Sequence, residues 1–349
     1  MKIDKSKVKK ILVIKFGGIG DILLATPVLP NLKSYFPDAE INFLTLRHSR
    51  DILIDNPYLT RAFTYDPNED KSYCLLKNIR KQKYDLVIDL YCNPRTALIT
   101  FLSGAKYRFG YNFRGRSYAY NIKTDGRGGE VHIVEFNLDA LRKMEIPITS
   151  KELFLSTNIV HKEFTDDFFK NNIPNSKLLI GISLTGGWEA KRYKVPDYIE
   201  LIKKLNKIYD ANFLLFGGNE RELNDCKIIN EEIPGNTFIS PYSPIKYLAS
   251  MISRCDILIG NDSGPLHISA AMKVPTLGIY GPTEAKLASP FGEKNLSVYN
   301  TNLDCLGCGL LECNIGNICM TELSKDIIIH KVKELIEINN IQFQKISDN

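Results

Sequence analysis

Short runs of aliphatic and β-branched residues alternate with longer amphipathic stretches along the whole chain. The apolar runs predict buried strands at residues 11–14, 41–46, 85–89, 178–183, 213–216, 256–259 and 276–279. The amphipathic stretches predict helices at residues 21–35 and 196–209, and further helices that begin near residues 220 and 265. Strands separated by helices are typical of parallel sheets covered on both faces. The pattern therefore predicts an α/β fold built on doubly wound sheets.

The chain of 349 residues is long enough for two such domains. The polar stretch at residues 171–176 contains one Pro and three Asn between a helical pattern and a new buried strand, which favours a boundary there. We therefore expect one domain at residues 1–173 and a second at residues 174–349. A final helix at about residues 325–340 closes the second domain and is a candidate to pack back on the first. Two facing sheets would bind ligands at the carboxyl ends of their strands.

Composition narrows the function only modestly. The net charge of +5 permits an anionic substrate or lipid surface and does not require nucleic acid, which we do not expect as a partner. We find no apolar run near the roughly 18 residues of a membrane span and no cleavable leader, so we expect a cytoplasmic protein. Lys5, Lys7, Lys9 and Lys10 form a basic N-terminal stretch that could hold the chain peripherally at the inner face of the inner membrane, or could be a simple tail.

A glycine-rich turn follows the first predicted strand, with the sequence Lys15-Phe-Gly-Gly-Ile-Gly-Asp21. A dinucleotide fingerprint is the obvious rival interpretation, but its third glycine is missing, and no acidic residue ends the second strand. Asp21 has two interpretations that remain open at this point. It could cap the following helix, or it could be a carboxylate at the edge of the sheet that acts as a general base.

Three further motifs follow strands of the second domain. Asp262-Ser-Gly-Pro-Leu-His267 opens a helix, whose N-terminus suits a diphosphate. Lys191 and Arg192 follow a glycine pair and could contact phosphate oxygens. A second glycine pair leads to Glu220, where an acid could bind ribose hydroxyls or could simply favour a helix start. Taken one by one, each motif also has an ordinary structural interpretation, such as a helix cap or an exposed basic loop.

In this order, the motifs resemble the family of bacterial lipopolysaccharide heptosyltransferases, glycosyltransferase family 9. The similarity covers roughly residues 10 to 335. It includes the stretches at residues 89–98, 103–110 and 131–135, and the Asp262-to-His267 signature is its most specific part. The resemblance implies two facing Rossmann-like doubly wound domains, the GT-B glycosyltransferase fold. It also implies acceptor binding by the first domain and nucleotide-sugar binding by the second.

The resemblance also assigns roles to individual residues. It implies that Asp21 is the catalytic base. It implies a set of donor-binding residues, which are Thr185, Lys191, Glu220, Asp262, Ser263, Gly264 and His267. The turn before Glu220 is one residue shorter than the usual pattern, so Glu222 competes for the same role.

The acceptor-binding candidates lie in the first domain. Residues 107–120 mix arginines with aromatic side chains, which suits an anionic, sugar-rich acceptor or forms a solvated loop. We take Arg108 and Arg114 from this stretch, together with Arg95 and, from the resemblance, Gly20.

Four cysteines cluster near the C-terminus, at Cys305, Cys308, Cys313 and Cys319. A structural zinc site, reduced thiols and disulfides all remain open for this cluster. We expect no catalytic role for it and no cofactor in the reaction.

The resemblance implies an inverting, metal-independent transfer of heptose from ADP-heptose to an anionic glycolipid acceptor of the lipopolysaccharide core. Alternatives are the transfer of another activated sugar during surface-polysaccharide assembly, or of heptose to a protein. A sugar-nucleotide-binding module without activity is the alternative outside enzymes.

Overall fold

The computed structural model describes residues 3–174 and 177–342. The chain divides into two compact units, with the division between Ser156 and Thr157. Asn175 and Ser176, which end the polar stretch expected as a linker, lie outside the described residues. The two units are described separately below.

The first unit contains a parallel sheet of six strands within the described residues, in the order β3-β2-β1-β4-β5-β6. The strands are β1 (Lys10–Ile14), β2 (Glu40–Leu46), β3 (Arg61–Tyr65), β4 (Leu86–Asp89), β5 (Tyr107–Tyr111) and β6 (Ile122–Thr124). The helices are α1 (Ile19–Leu23), α2 (Val28–Tyr35), α3 (Ser72–Gln82), α4 (Pro94–Leu102) and α5 (Ile133–Lys143). The strand order reverses between β1 and β4, and the carboxyl ends of such a strand pair are where doubly wound sheets bind ligands.

The single helix expected at residues 21–35 is two helices, α1 and α2. Pro27 is the N-cap of α2, and Pro30 lies in the first turn of the same helix. A proline in a helix interior removes a backbone donor and clashes with the preceding turn, so the chain restarts the helix at this point. As a result, α1 is only five residues long and carries the end of the glycine-rich turn.

The second unit repeats the same architecture. Its described residues form a parallel six-stranded sheet in the order β9-β8-β7-β10-β11-β12. The strands are β7 (Leu179–Ser183), β8 (Asn212–Phe216), β9 (Thr237–Ile239), β10 (Ile257–Asn261), β11 (Thr276–Ile279) and β12 (Leu296–Val298). The helices are α6 (Ile159–Asn172), α7 (Val195–Tyr209), α8 (Glu220–Glu232), α9 (Ile245–Ile252), α10 (Gly264–Ala271), α11 (Ala285–Ala288), α12 (Ile318–Thr321) and α13 (Lys325–Ile338). Here the order reverses between β7 and β10.

Helix α6 belongs to the second unit, although the sequence-based boundary at residues 173 and 174 assigned it to the first. It packs on α9, where the Oγ1 of Thr165 donates to the Oγ of Ser250 at 2.8 Å. The rings of His161 and Phe164 lie 4.6 and 5.1 Å from the ring of Tyr247. These contacts place α6 with the sheet that follows it rather than with the sheet that precedes it.

The closing helix, α13, packs on α7, β11 and β12 of its own unit. Its buried residues Ile328, Val332 and Leu335 join the apolar core of the second sheet. The helix expected at about residues 325–340 is therefore present, and it packs on the second unit, whereas the sequence also made the first domain a candidate. Among the described residues, no helix is both long enough and apolar enough to cross a lipid bilayer.

Candidate functional site

The glycine-rich turn at the end of β1 is held in one conformation by neighbouring side chains. Gly17 has a φ of +139°, and a Cβ at this position would lie 2.5 Å from Oδ2 of Asp21. Glycine is therefore required there. The Gly17 carbonyl accepts a hydrogen bond from the Oγ of Ser49 at 3.0 Å and contacts Nε2 of His48 at 3.2 Å. These contacts fix the backbone that presents Asp21.

Asp21 lies in the first turn of α1 and is not its N-cap, which is Gly18. The Oδ2 of Asp21 accepts a hydrogen bond from the Gly18 amide at 3.0 Å, so the carboxylate is oriented by its own helix start. The side chain is half-buried. Asp21 thus supports the helix start from the first turn rather than as the N-cap, and its role as a general base stays a prediction.

Lys15 supplies a buried cation next to this turn. Its side chain is nearly buried, and its Nζ donates to the Leu90 carbonyl at the end of β4 at 3.3 Å. Burial lowers the pKa of Lys15, and the negative charges of Asp21 and Asp89 oppose that shift. Lys15 thus links the ends of β1 and β4, where the strand order reverses.

Asp89 is a fully buried carboxyl at the end of β4. It accepts hydrogen bonds from the amides of Tyr91 and Cys92 at 3.0 and 2.8 Å and from the Tyr120 hydroxyl at 2.8 Å. Burial raises the pKa of Asp89, and the hydrogen bonds from Cys92 and Tyr120 act in the opposite direction. The sequence analysis did not assign a role to this pair, because Tyr120 follows Asp89 by 31 residues.

The three arginines expected to bind an acceptor differ in their surroundings. Arg95 is exposed at the start of α4, with its guanidinium 5.3 Å from the Tyr65 ring centre. Arg114 is exposed in the loop after β5. The guanidinium of Arg108 donates to the carbonyls of Ala105 and Ala119 at 2.7 and 2.9 Å, so it stabilises the local backbone. Gly20 lies in α1 beside Asp21.

In the second unit, hydroxyl groups join the ends of β7 and β10. The Oγ1 of Thr185 lies 2.6 Å from the Oγ of Ser263 and 2.9 Å from the Oγ of Ser183. The Nδ2 of Asn261 donates to the Thr185 carbonyl at 3.2 Å. This cluster lies where the strand order reverses, which is the expected ligand position of such a sheet.

Lys191 and Asp262 form a largely buried ion pair at the same place. The Nζ of Lys191 lies 2.5 Å from Oδ2 of Asp262, and the two side chains are 12% and 8% exposed. The same Oδ2 accepts a hydrogen bond from the Thr283 hydroxyl at 2.6 Å. The Lys191 ammonium also lies 3.9 Å from the centre of the Trp188 ring, a cation–π contact. Asp262 therefore positions the lysine that the sequence singled out.

Helix α10 begins beside this pair. Ser263 is its N-cap, but the Ser263 hydroxyl makes no hydrogen bond to the helix start and instead donates to the Asn261 carbonyl at 3.0 Å. Gly264 is the first helical residue and Pro265 the second, so the helix begins one residue before the position expected from the sequence. His267 is buried within the helix. The N-terminus of α10 thus lacks a side-chain cap, and a helix N-terminus attracts anions.

Glu220 and Glu222 have different surroundings. Glu222 is buried, and its two oxygens accept hydrogen bonds from the amides of Gly186 and Gly218 at 3.0 and 2.8 Å. It also pairs with the guanidinium of Arg192 at 3.1 Å. Glu222 therefore stabilises the two glycine turns, and the Arg192 guanidinium is paired with Glu222 and Asp225. Glu220 is exposed.

Glu220 lines a pocket of about 610 Å³ within the second unit, a volume in the range of small-molecule sites. The other lining residues are Phe168, Gly218, Asn219, Leu223, Lys227, Ile239, Ser240, Pro241 and Tyr242. A Cβ on Gly218 would lie 3.4 Å from the Cγ2 of Thr185, so the pocket adjoins the hydroxyl cluster. The sequence analysis missed the wall at residues 239–242. Its signal was a Ser-Pro-Tyr turn directly after a short apolar run.

The four clustered cysteines are free thiols, so the disulfide interpretation is wrong for this structure. Burial raises the pKa of Cys319 to about 11, and the negative charges of the other three cysteines add to that shift. Within the described part of the chain, no set of three or more His, Cys, Asp or Glu side chains is arranged to hold a metal ion. The zinc interpretation, one of the three left open by the sequence, is therefore not confirmed.

Two parallel six-stranded sheets, each with ligand-type side chains at its strand-order reversal, are typical of the GT-B fold class. The chain belongs to glycosyltransferase family 9, the heptosyltransferases, whose sequence profile matches residues 73–318. The chain is 26% identical over 335 residues to lipooligosaccharide heptosyltransferase 2 of Campylobacter jejuni. The aligned region covers 91% of this chain and 96% of that protein.

Two solved structures have the same fold. A family 9 glycosyltransferase from Veillonella parvula matches with a TM-score of 0.82 and 20% identity, over 95% of this chain and 97% of the other. The ADP-heptose lipopolysaccharide heptosyltransferase II of Escherichia coli matches with a TM-score of 0.75 and 19% identity, over 95% and 99% of the two chains. These likenesses confirm the fold expected from the sequence and, with the family, the glycosyltransferase activity.

Proposed function

We propose that this glycosyltransferase transfers heptose from ADP-heptose to an acceptor of the lipopolysaccharide core, with inversion at the anomeric carbon. The observation that carries the proposal is the ammonium of Lys191 beside the uncapped start of α10, next to a pocket of nucleoside size. The names of the relatives favour heptose among the activated sugars.

The second unit is the donor-binding domain in this proposal. The nucleoside occupies the pocket beside Gly218, where the exposed Glu220 carboxylate accepts hydrogen bonds from ribose hydroxyls. The diphosphate then extends past Thr185 toward Lys191 and Gly264. Lysine and a helix N-terminus are both common partners of phosphate oxygens.

The first unit binds the acceptor, and Asp21 is the general base. The Asp21 carboxylate takes the proton of the acceptor hydroxyl, and the hydroxyl oxygen attacks the anomeric carbon on the face opposite the diphosphate. The new glycosidic bond forms as the bond to the diphosphate breaks, so the configuration inverts. Negative charge that develops on the leaving ADP is stabilised by Lys191 and the α10 N-terminus, which supply the positive charge that a divalent cation provides elsewhere.

The acceptor is an anionic glycolipid, and the exposed guanidinium groups of Arg95 and Arg114 are placed to meet its charge. Arg108 supports this loop rather than the acceptor, because its hydrogen bonds go to the backbone. An acceptor anchored in lipid places the reaction in the cytoplasm at the inner face of the inner membrane.

Isothermal titration of the purified protein with ADP-heptose, ADP, UDP-glucose and GDP-mannose, without added metal, tests the donor. We expect preference for the adenosine ligands and tightest binding of ADP-heptose. Preference for a UDP or GDP sugar would refute heptose transfer and retain the mechanism. Binding without product formation from any acceptor would identify a module without activity.

A further inference from the structure

Basic residues are concentrated in two segments of the first unit. Residues 71–84 contain five Lys or Arg and residues 90–124 contain six, and neither segment contains an Asp or a Glu. The rest of the chain therefore carries 34 basic and 40 acidic residues, a net negative charge. The excess positive charge of this protein lies entirely in these two segments.

These basic side chains are not neutralised within the described residues, where no ion pair joins any of them to a carboxylate. The basic stretch near the N-terminus differs. Lys7, Lys9 and Lys10 pair with Asp4, Asp38 and Glu40 at 3.3, 3.9 and 3.2 Å. Three of the four N-terminal lysines that the sequence analysis named are therefore paired with carboxylates, whereas the basic residues of the two segments are not.

Exposed apolar side chains lie among these charges. Leu98 and Phe101 are 43% and 47% exposed on α4, three residues apart and so on one face of the helix. Tyr118 is 56% exposed, and its ring lies 5.7 Å from the ring of Phe101. Arg95 precedes Leu98 by three residues and continues the same stripe toward the carboxyl edge of the sheet.

Helix α3 lies beside this stripe. The Arg80 guanidinium contacts the Leu102 carbonyl at the end of α4 at 3.4 Å. An apolar pocket of about 290 Å³ separates the two helices, with walls that include Leu75, Leu76 and Leu98. We call the outward side of α3, the α4 stripe and Tyr118 together the α3–α4 face.

We propose that the α3–α4 face binds the surface of an anionic phospholipid bilayer. Exposed Leu98 and Phe101 together with the exposed lysines of α3 and Arg95 match the interfacial region, where acyl chains meet charged headgroups. A single-stranded nucleic acid would also be attracted by the charge and could stack on Phe101 and Tyr118, but exposed aliphatic Leu98 and the neighbouring leucine-lined pocket suit acyl chains rather than bases. The bilayer is therefore the occupant that the observations favour.

This binding mode extends the proposed function, because it brings the edge of the sheet that carries Arg95 toward a lipid-anchored acceptor. The assay that tests it contains no nucleotide sugar. Failure of the donor assignment would therefore leave the bilayer result unaffected, and the reverse also holds.

The test is co-sedimentation of the full chain with vesicles of phosphatidylcholine alone and of phosphatidylcholine with phosphatidylglycerol. We expect binding to the anionic vesicles only, and weaker binding at higher salt. Lys77→Gln combined with Lys81→Gln should weaken binding about 30-fold, since each basic residue near such a surface contributes about 1 kcal/mol. Leu98→Ser combined with Phe101→Ser should weaken it about tenfold through the loss of apolar burial.

Matched controls come from the second unit. Ile208→Ser with Ile327→Ser removes apolar side chains that are 46% and 47% exposed, and Lys162→Gln with Lys170→Gln removes two exposed charges of α6. Circular dichroism confirms that each variant is folded, and all four substituted sites of the α3–α4 face are solvent-exposed.

Four results would overturn the proposal. Equal binding to both vesicle types would show that the basic segments do not contribute to binding. Absence of binding to anionic vesicles would show that the bilayer is not the partner of this face. Control variants that lose as much affinity as the α3–α4 variants would show that the face is not the site. Binding of a single-stranded oligonucleotide in place of vesicles would assign the face to nucleic acid.

Discussion

The ion pair between Lys191 and Asp262 allows stability and donor binding to be separated experimentally. Lys191→Met removes the cation and leaves the Asp262 carboxylate largely buried, with a hydrogen bond from the Thr283 hydroxyl at 2.6 Å. Breaking a buried ion pair on one side costs about 3 kcal/mol of unfolding free energy. Loss of one charge-assisted hydrogen bond to the diphosphate, with an uncompensated carboxylate beside it, should weaken donor binding about 100-fold.

Asp262→Asn in the Lys191→Met background removes the uncompensated charge. We expect this double variant to regain about 2 kcal/mol of stability, because a neutral pair no longer places a bare charge in a buried site. Donor affinity should remain at least about tenfold weaker than in the wild type, because the cation is still missing. Urea unfolding measures the stability, and calorimetric titration with ADP measures the affinity.

Lys194→Met is the matched control, because Lys194 is an exposed lysine three residues further along the same loop. It should alter neither quantity by more than about 0.5 kcal/mol. Wild-type ADP affinity in Lys191→Met would refute the assignment of Lys191 to the diphosphate. Recovery of both stability and affinity in the double variant would show that Lys191 acts only by neutralising Asp262.

Three further predictions concern carboxylates. Asp21→Asn should lower turnover about 10²- to 10⁴-fold with donor affinity unchanged, and near-normal turnover would exclude Asp21 as the base. Glu220→Gln should weaken ADP binding without loss of stability. Glu222→Gln should lower the midpoint of urea unfolding, because the Glu222 carboxylate joins two glycine turns and Arg192. The reverse result would exchange the roles of the two glutamates. Burial raises the pKa of Asp89 above its value in the unfolded chain, so native Asp89 keeps its proton to higher pH and the unfolding free energy falls as pH rises above the ordinary carboxyl range of about 4. Asp89→Asn should remove that part of the fall, and equal pH slopes for the variant and the wild type would contradict the shift.

Seven of the eight interior strands of the two described sheets could be predicted from the sequence, because buried parallel strands are continuous apolar runs. The run at residues 276–279 coincides with β11 (Thr276–Ile279), and the other predicted runs match their strands to within two residues. The sequence missed five of the described strands. Four of them, β3, β6, β9 and β12, are edge strands that are short or carry charged residues. The fifth, β5, is interior, but Arg108 and Gly110 interrupt its apolar pattern. Because an edge strand pairs on one side only, its pattern is weaker. Such strands are recognised only from their hydrogen bonds in the folded sheet.

The candidate site was predictable as a set of motifs but not as a set of partners. Lys191 and Asp262 are 71 residues apart, and spacing alone does not reveal that one positions the other. The same holds for Glu222, whose partners lie on two glycine turns. Local sequence identifies which residue types follow a strand, whereas tertiary contacts decide which of those side chains remain available for a ligand.

The two units show why topology alone does not assign the donor and the acceptor. Both sheets have the same order of strands, and in both a glycine-containing turn leads into a helix at the point of reversal. In the first unit, the carboxylate of Asp21 already accepts the Gly18 amide at the start of α1, so negative charge occupies that helix start. In the second unit, Ser263 leaves the start of α10 without a side-chain cap, and Lys191 lies beside it. The first helix start already carries a carboxylate on its Gly18 amide and is therefore a poorer site for a diphosphate than the uncapped start of α10, while a hydroxyl that must lose a proton needs the carboxylate of the first. The difference in how the two helix starts are capped therefore supports an acceptor at the first unit and a nucleotide sugar at the second.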